Sequence, residues 1–95
     1  MPKGYVISRV DVKDPARYAR YAEAATKVIA QYGGRALARG GRSDALEGAA
    51  RQRNVVLEFE SCDAAKTYYL SAEYQAAKAL REGAAEMEMV LVEGA

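Results

Sequence analysis

The stretch Gly33-Gly34-Arg35-Ala36-Leu37-Ala38-Arg39-Gly40-Gly41-Arg42 decides the fold. Paired glycines bound it on both sides and interrupt any helix, so Arg35 to Arg39 predicts a short strand. The first pair ends the element before it, and the second turns or bulges the strand. Arg42 to Glu47 is expected to continue as a strand or arm, and Gly48 to Gln52 to form a polar loop. The glycine spacing matches neither the dinucleotide fingerprint nor the P-loop, and no Gly-Lys-Ser/Thr follows. The glycines are therefore read as structural breaks that hold Arg39 at a set height on a sheet.

Upstream, Asp14-Pro15 supplies an N-cap followed by proline at the first helical position. Tyr18, Tyr21, Ala22, Ala25, Ile29 and Tyr32 then recur at three- and four-residue steps, predicting a helix over residues 15–32 with Gly33 just past its end. Before it, Tyr5 to Val12 alternates and is rich in Val and Ile, the pattern of a strand. Downstream, Asn54 to Glu60 is a third strand. Ser61 caps a helix carrying Ala64, Ala65, Tyr68 and Tyr69, and Ser71 caps a second piece, Ala72 to Arg81, with Tyr74, Ala77 and Leu80 inward. Gly83 stops it, and Glu86 to Glu93 alternates as a last strand. The order β-α-β-β-α-β predicts an α+β, ferredoxin-like domain, with an antiparallel sheet of four strands and the helices on one face.

Strands one and three are expected side by side at the centre, and parallel. Val6, Val10, Val12, Val55, Leu57 and Phe59 are assigned to the helix-packed core. The opposite face would carry Tyr5, Ile7, Arg9, Asp11, Asn54, Val56 and Glu58, joined by Leu37 and Arg39. A surface this mixed marks an interface or a ligand groove. Two such sheets packed face to face would enclose it in a dimer, where Arg9 and Glu58 are expected to pair.

Composition narrows the chemistry. The chain has 95 residues, room for one domain spanning residues 1–95. A domain this small buries only about 60–65% of its unfolded surface, so a partner would add stability. A net charge of +1 makes no general case for nucleic acid or an anionic membrane. Locally, however, Arg35, Arg39, Arg42, Arg51 and Arg53 cluster, as either a solvated rim or a phosphate or carboxylate site. No window approaches the roughly 20 apolar residues of a membrane span, and Met-Pro-Lys-Gly-Tyr lacks a signal-peptide run, so a cytoplasmic location is expected. The single Cys62 builds neither an intramolecular disulfide nor a thiolate metal site. Histidine is absent, which excludes a His-ligated haem, a two-His metal site and a Ser-His-Asp triad within this chain. No metal or cofactor is expected. Any proton transfer falls to Tyr, Glu, Asp, Lys or Cys, or to the substrate itself.

Taken in order, Met-Pro-Lys-Gly-Tyr, Asp14-Pro15, Tyr32-Gly33-Gly34-Arg35, Arg39-Gly40-Gly41, Leu46-Glu47-Gly48, Val55-Val56-Leu57-Glu58-Phe59, Tyr69, Ser71-Ala72-Glu73-Tyr74-Gln75 and Val92-Glu93-Gly94 resemble the domain of unknown function family 1330 over almost the whole chain. One departure is Ala72, where that family usually has proline. The resemblance implies a dimeric α+β barrel. That superfamily includes cofactor-free monooxygenases, isomerases of small cyclic metabolites, haem enzymes and stress-response proteins. Mapped onto this chain, the family pattern covers Tyr5, Arg39, Glu58, Tyr69 and Arg81. Glu58 and Tyr69 are the candidate catalytic groups, as acid or base and as hydrogen-bond donor. Tyr5, Arg9, Arg39 and Arg81 are the candidate ligand-binding groups, with Arg39 aimed at a carboxylate or enolate. Two functions follow as expectations. One is a homodimer that binds or transforms a small anionic or aromatic metabolite in the sheet cleft. The other is a non-catalytic dimeric sensor or stress-related interaction protein in which Arg9, Arg39 and Glu58 close into an ion-pair network. An RNA platform is disfavoured, because strand three offers Phe59 alone, on the core side.

Overall fold

The computed structural model describes residues 2–95. Strands β1 (Gly4–Val12), β2 (Arg35–Arg39), β3 (Arg53–Phe59) and β4 (Ala85–Glu93) form one sheet in the order β2-β3-β1-β4. Helix α1 (Pro15–Gln31) joins β1 to β2, and the short helices α2 (Cys62–Leu70) and α3 (Ala72–Leu80) join β3 to β4. All strand neighbours are antiparallel. The expected parallel pairing of β1 and β3 is therefore corrected. The α1 crossover makes β2 run with β1, the following loop reverses the chain, and β3 enters between them running against both.

Local chemistry sets the boundaries. The Asp14 side chain accepts from the Arg17 N–H and Pro15 fills the first turn of α1. At the other end the Gly33 N–H bonds the Ala30 carbonyl and the Gly34 N–H bonds the Ile29 carbonyl, with Gly33 at φ 77°. This is the double closure that a left-handed residue allows. A Cβ on Gly34 would stand 2.5 Å from the Phe59 ring, so that glycine also admits the core aromatic. Ser61 and Ser71 cap α2 and α3 by accepting from the Ala64 and Tyr74 N–H groups. Between β2 and β3 no strand forms over 42–47; residues 41–52 are irregular, which corrects the expected arm.

The core lies between the sheet and the helices. Val6, Val10, Leu57 and Phe59 meet Tyr18, Tyr21, Ala25, Val28, Ala65, Tyr68, Tyr74 and Ala77 there. Tyrosines supply most of its bulk: Tyr68 sits 4.9 Å from both Phe59 and Tyr74, centroid to centroid. Leu80 was expected inward but is 42% exposed, because Tyr74 and Ala77 already fill that face of α3.

Candidate anion-binding site

The open face of the sheet is graded. Its middle row is Ala38, Val56, Ile7 and Val90, side by side across all four strands. The next row is Arg35, Glu58, Tyr5 and Val92. Antiparallel register sets Glu58 opposite Tyr5 and Arg9 opposite Asn54. Four residues along a strand is about 13 Å, so the expected Arg9–Glu58 pair does not form. Glu58 instead accepts from Arg35 Nε at 2.9 Å and from the Tyr5 hydroxyl at 3.1 Å, one donor on each carboxylate oxygen. The bond to Glu58, then burial, raises the Tyr5 pKa above its ordinary value. Arg9 donates to the Ala49 carbonyl at 3.2 Å. It thereby helps to hold the irregular loop over the far end of the face, where Arg51 bridges Asp11, Glu86 and Glu88.

Arg39 lies on the other face. In β2 the partner of Ala36 is Leu57, yet the partner of Ala38 is Val56, so Leu37 is an extra residue. Such a bulge reverses the alternation beyond it. Arg39 then pairs with Val55 and shares its helix-facing side, which corrects the expected placement beside Glu58. No single site holds Arg39 and Glu58 together, and the closed network of Arg9, Arg39 and Glu58 is absent.

The arginine cluster sorts itself by pairing. Arg35 meets Glu58, Arg42 meets Asp44, and Arg51 meets three carboxylates. Among the described residues Arg39 and Arg53 have no acidic partner. Both line one narrow crevice of ≈ 40 Å³ between α1 and the sheet. The Arg53 guanidinium carbon is 5.7 Å from the Tyr18 ring centroid, and its Nε is buried without a hydrogen-bond partner. It also lies against Gly40, where any Cβ would collide with it. Gly40 is at φ 70° and its N–H bonds the Asn54 carbonyl, so the second glycine pair shapes the seat of Arg53. Ser8, the one buried polar residue among those described, reaches the same crevice, whose other walls include Ala25, Ile29 and Met89. Tyr21 and Tyr68 close its inner side. Burial, followed by the neighbouring Tyr74, pushes both phenols far above their ordinary range. Both serve as walls of the crevice.

The remaining candidates lie elsewhere. Tyr69 is half-buried on α2, packs 5.2 Å from Tyr74 and accepts from Lys78 Nζ at 3.2 Å. With Val6, Lys66 and Leu91 it lines a second, apolar cavity of ≈ 220 Å³ beside β4. Arg81 ends α3 and stacks 5.2 Å from the Tyr21 ring, whose hydroxyl is 2.9 Å from that of Tyr74. Arg81 thus belongs to a buried aromatic cluster beside the crevice and is not among its lining residues. The unaided sequence reading missed Ser8 and singled out Arg53 only as one of five clustered arginines. A serine between Val6 and Val10 on a core-facing alternation was the available signal, since a buried hydroxyl needs a partner.

Comparison with known proteins settles the family. A domain of unknown function, DUF1330, matches residues 3–95. The chain belongs to that family. No curated protein matches it by sequence. Among solved structures, a protein of unknown function from Rhodopseudomonas palustris is similar, with TM-score 0.79 and 16% identity over 99% of this chain and 83% of that one. A dimeric ferredoxin-like protein of unknown function from Thermobifida fusca gives TM-score 0.65 and 16% identity over 97% and 91%. SnoaB, a cofactor-independent oxygenase from Streptomyces nogalater, gives TM-score 0.65 and 14% identity over 97% and 92%. At these identities the likeness is one of fold. The DUF1330 chain is thus a ferredoxin-like α+β domain, and no helix in its described residues is long and apolar enough to cross a membrane.

Proposed function

We propose that this DUF1330 protein is a homodimer that binds a small, largely apolar anion in the crevice beneath α1. One observation carries the reading. Arg53 and the exposed Arg39 both line it without a carboxylate partner, although three other arginines of the same segment are neutralised. Two guanidinium groups beside apolar walls form an unmet demand for negative charge, and a planar carboxylate matches their fork. Ser8 and the Tyr18 ring would orient the anion's charged and flat parts. Glu58, Tyr5 and Arg35 then act on the opposite face, as a hydrogen-bonded row within the dimer interface. The crevice lining holds no carboxylate, lysine or thiol, and burial raises the Tyr21 and Tyr68 phenols, which favours a ligand-binding role over acid–base catalysis.

Titration calorimetry with benzoate tests this. The wild type should bind, and Arg39→Leu and Arg53→Leu should each weaken binding at least about tenfold, the worth of one charge-assisted hydrogen bond. A wild type that binds neither benzoate nor inorganic phosphate at millimolar concentration would overturn the site. The fold shared with the cofactor-independent oxygenase supports a second reading, oxidation of the bound anion by dioxygen. Dioxygen uptake that depends on a bound aromatic carboxylate and disappears in Arg53→Leu would establish it.

A further inference from the structure

The crevice and the larger cavity share a wall. Met89 lines both; its neighbours on the helix-facing side of the sheet are Ser8, in the crevice, and Leu91, in the cavity. Neither space alone suits an elongated amphipathic anion. The crevice has the cations but only ≈ 40 Å³, too little to take a long chain as well. The cavity has ≈ 220 Å³ of largely apolar lining, with Lys66 but no guanidinium. Methionine is the side chain best suited to such a partition, being unbranched with three rotatable bonds, so it moves aside without disturbing the backbone. We infer that Met89 is a movable partition between a head-group site and a tail site, and that the preferred ligand is an elongated monoanion: a medium-chain acyl or aryl-alkyl carboxylate. Its carboxylate would sit with Arg53 and Arg39, and its tail would pass Met89 into the cavity beside Leu91. Arg53 on β3 and Met89 on β4 are two strand spacings apart, about 10 Å, a distance that benzoate does not cover.

This inference rests on the anion site proposed above, and a chain-length series separates the two. Calorimetry is run with benzoate, hexanoate and decanoate on the wild type, Met89→Ala and Leu91→Phe. Decanoate should bind the wild type at least about tenfold more tightly than benzoate. Met89→Ala should strengthen decanoate binding about threefold or more, a larger change than it makes to benzoate binding. Leu91→Phe fills the tail site and should reduce decanoate to the affinity of benzoate. The wild-type Leu91 methyl resonances provide a readout independent of that variant's folding: they should shift with decanoate and stay put with benzoate. Benzoate binding with no gain for decanoate in wild type or Met89→Ala, or with unmoved Leu91 methyls, overturns the partition and spares the anion site. Failure of benzoate and decanoate alike overturns both.

Discussion

Arg53 owes its position to a residue without a side chain. Gly40 sits at φ 70° with the guanidinium packed where a Cβ would be. Gly40→Ala should therefore cost about 1–2 kcal/mol in stability from the left-handed backbone alone. It should also displace Arg53 and weaken benzoate binding about tenfold, as Arg53→Leu does; chemical denaturation and calorimetry would check the two effects separately. Glu73 gives a residue-scale prediction about pH. It accepts from the Tyr32 hydroxyl at 2.9 Å and from Gln31 Nε2 at 3.3 Å, tying α3 to the end of α1. Its own backbone N–H, followed by Tyr32, holds its carboxyl below the ordinary 4.5. A depressed folded pKa means that the contribution is full above about pH 4.5 and is lost as pH falls through the folded value. Glu73→Gln should lower the melting temperature at neutral pH and converge with the wild type by about pH 3, flattening part of the acid-side fall. An unchanged acid-side slope would show that the tie is not coupled to folding.

At the scale of elements, two features matter beyond their length. The first is the bulge at Leu37. Without it Arg35 and Arg39, four residues apart, would both stand on the open face, as strict alternation demands. One extra residue sends Arg39 to the helix side, so a binding site depends on a break in a strand of five residues. The second is the joint between α2 and α3 at Ser71. Ser71 is extended, at φ −63° and ψ 149°, and Ala72 opens α3. That backbone is the one a residue before proline prefers, and the first helical position is where proline is tolerated. Ala72→Pro should therefore stabilise the protein by about 0.4–1 kcal/mol, by restricting the unfolded chain. A fall in stability instead would show that the joint strains to accept the ring.

At the scale of the molecule, one sheet face remains for a partner. Val90 and Val92 are 53% and 43% exposed there, and Ile7 stands between Val56 and Val90 at the centre of the apolar row. The Arg35–Glu58 pair and the Arg51 cluster flank that row on its two sides. This arrangement, apolar at the middle and charged at the rim, fits the proposed dimer. Light scattering at micromolar concentration should return about twice the 10.3 kDa chain mass. Ile7→Glu should return the single-chain mass, since it would bury an unpaired charge in an apolar interface. A wild type that scatters as a monomer would remove the dimer from the proposed function.

Local signals carried most of the fold. Asp14-Pro15, Ser61 and Ser71 start helices and Gly33 ends one by chemistry confined to a few neighbouring residues, and alternation placed Val6, Leu57 and Phe59 inward. The candidate site was legible only as an ingredient, an arginine-rich segment between paired glycines. Arg42 finds its partner locally in Asp44, but Arg35 and Arg51 depend on Glu58, Asp11, Glu86 and Glu88, three of which lie on strands distant in sequence from the segment they meet. Strand direction placed Tyr5, not Arg9, opposite Glu58, and a one-residue bulge moved Arg39 through the sheet. Helix caps and alternation are local, and so are determined by the sequence itself. Register, bulge and charge pairing are settled between segments far apart in the chain, and so were decided only by the tertiary structure.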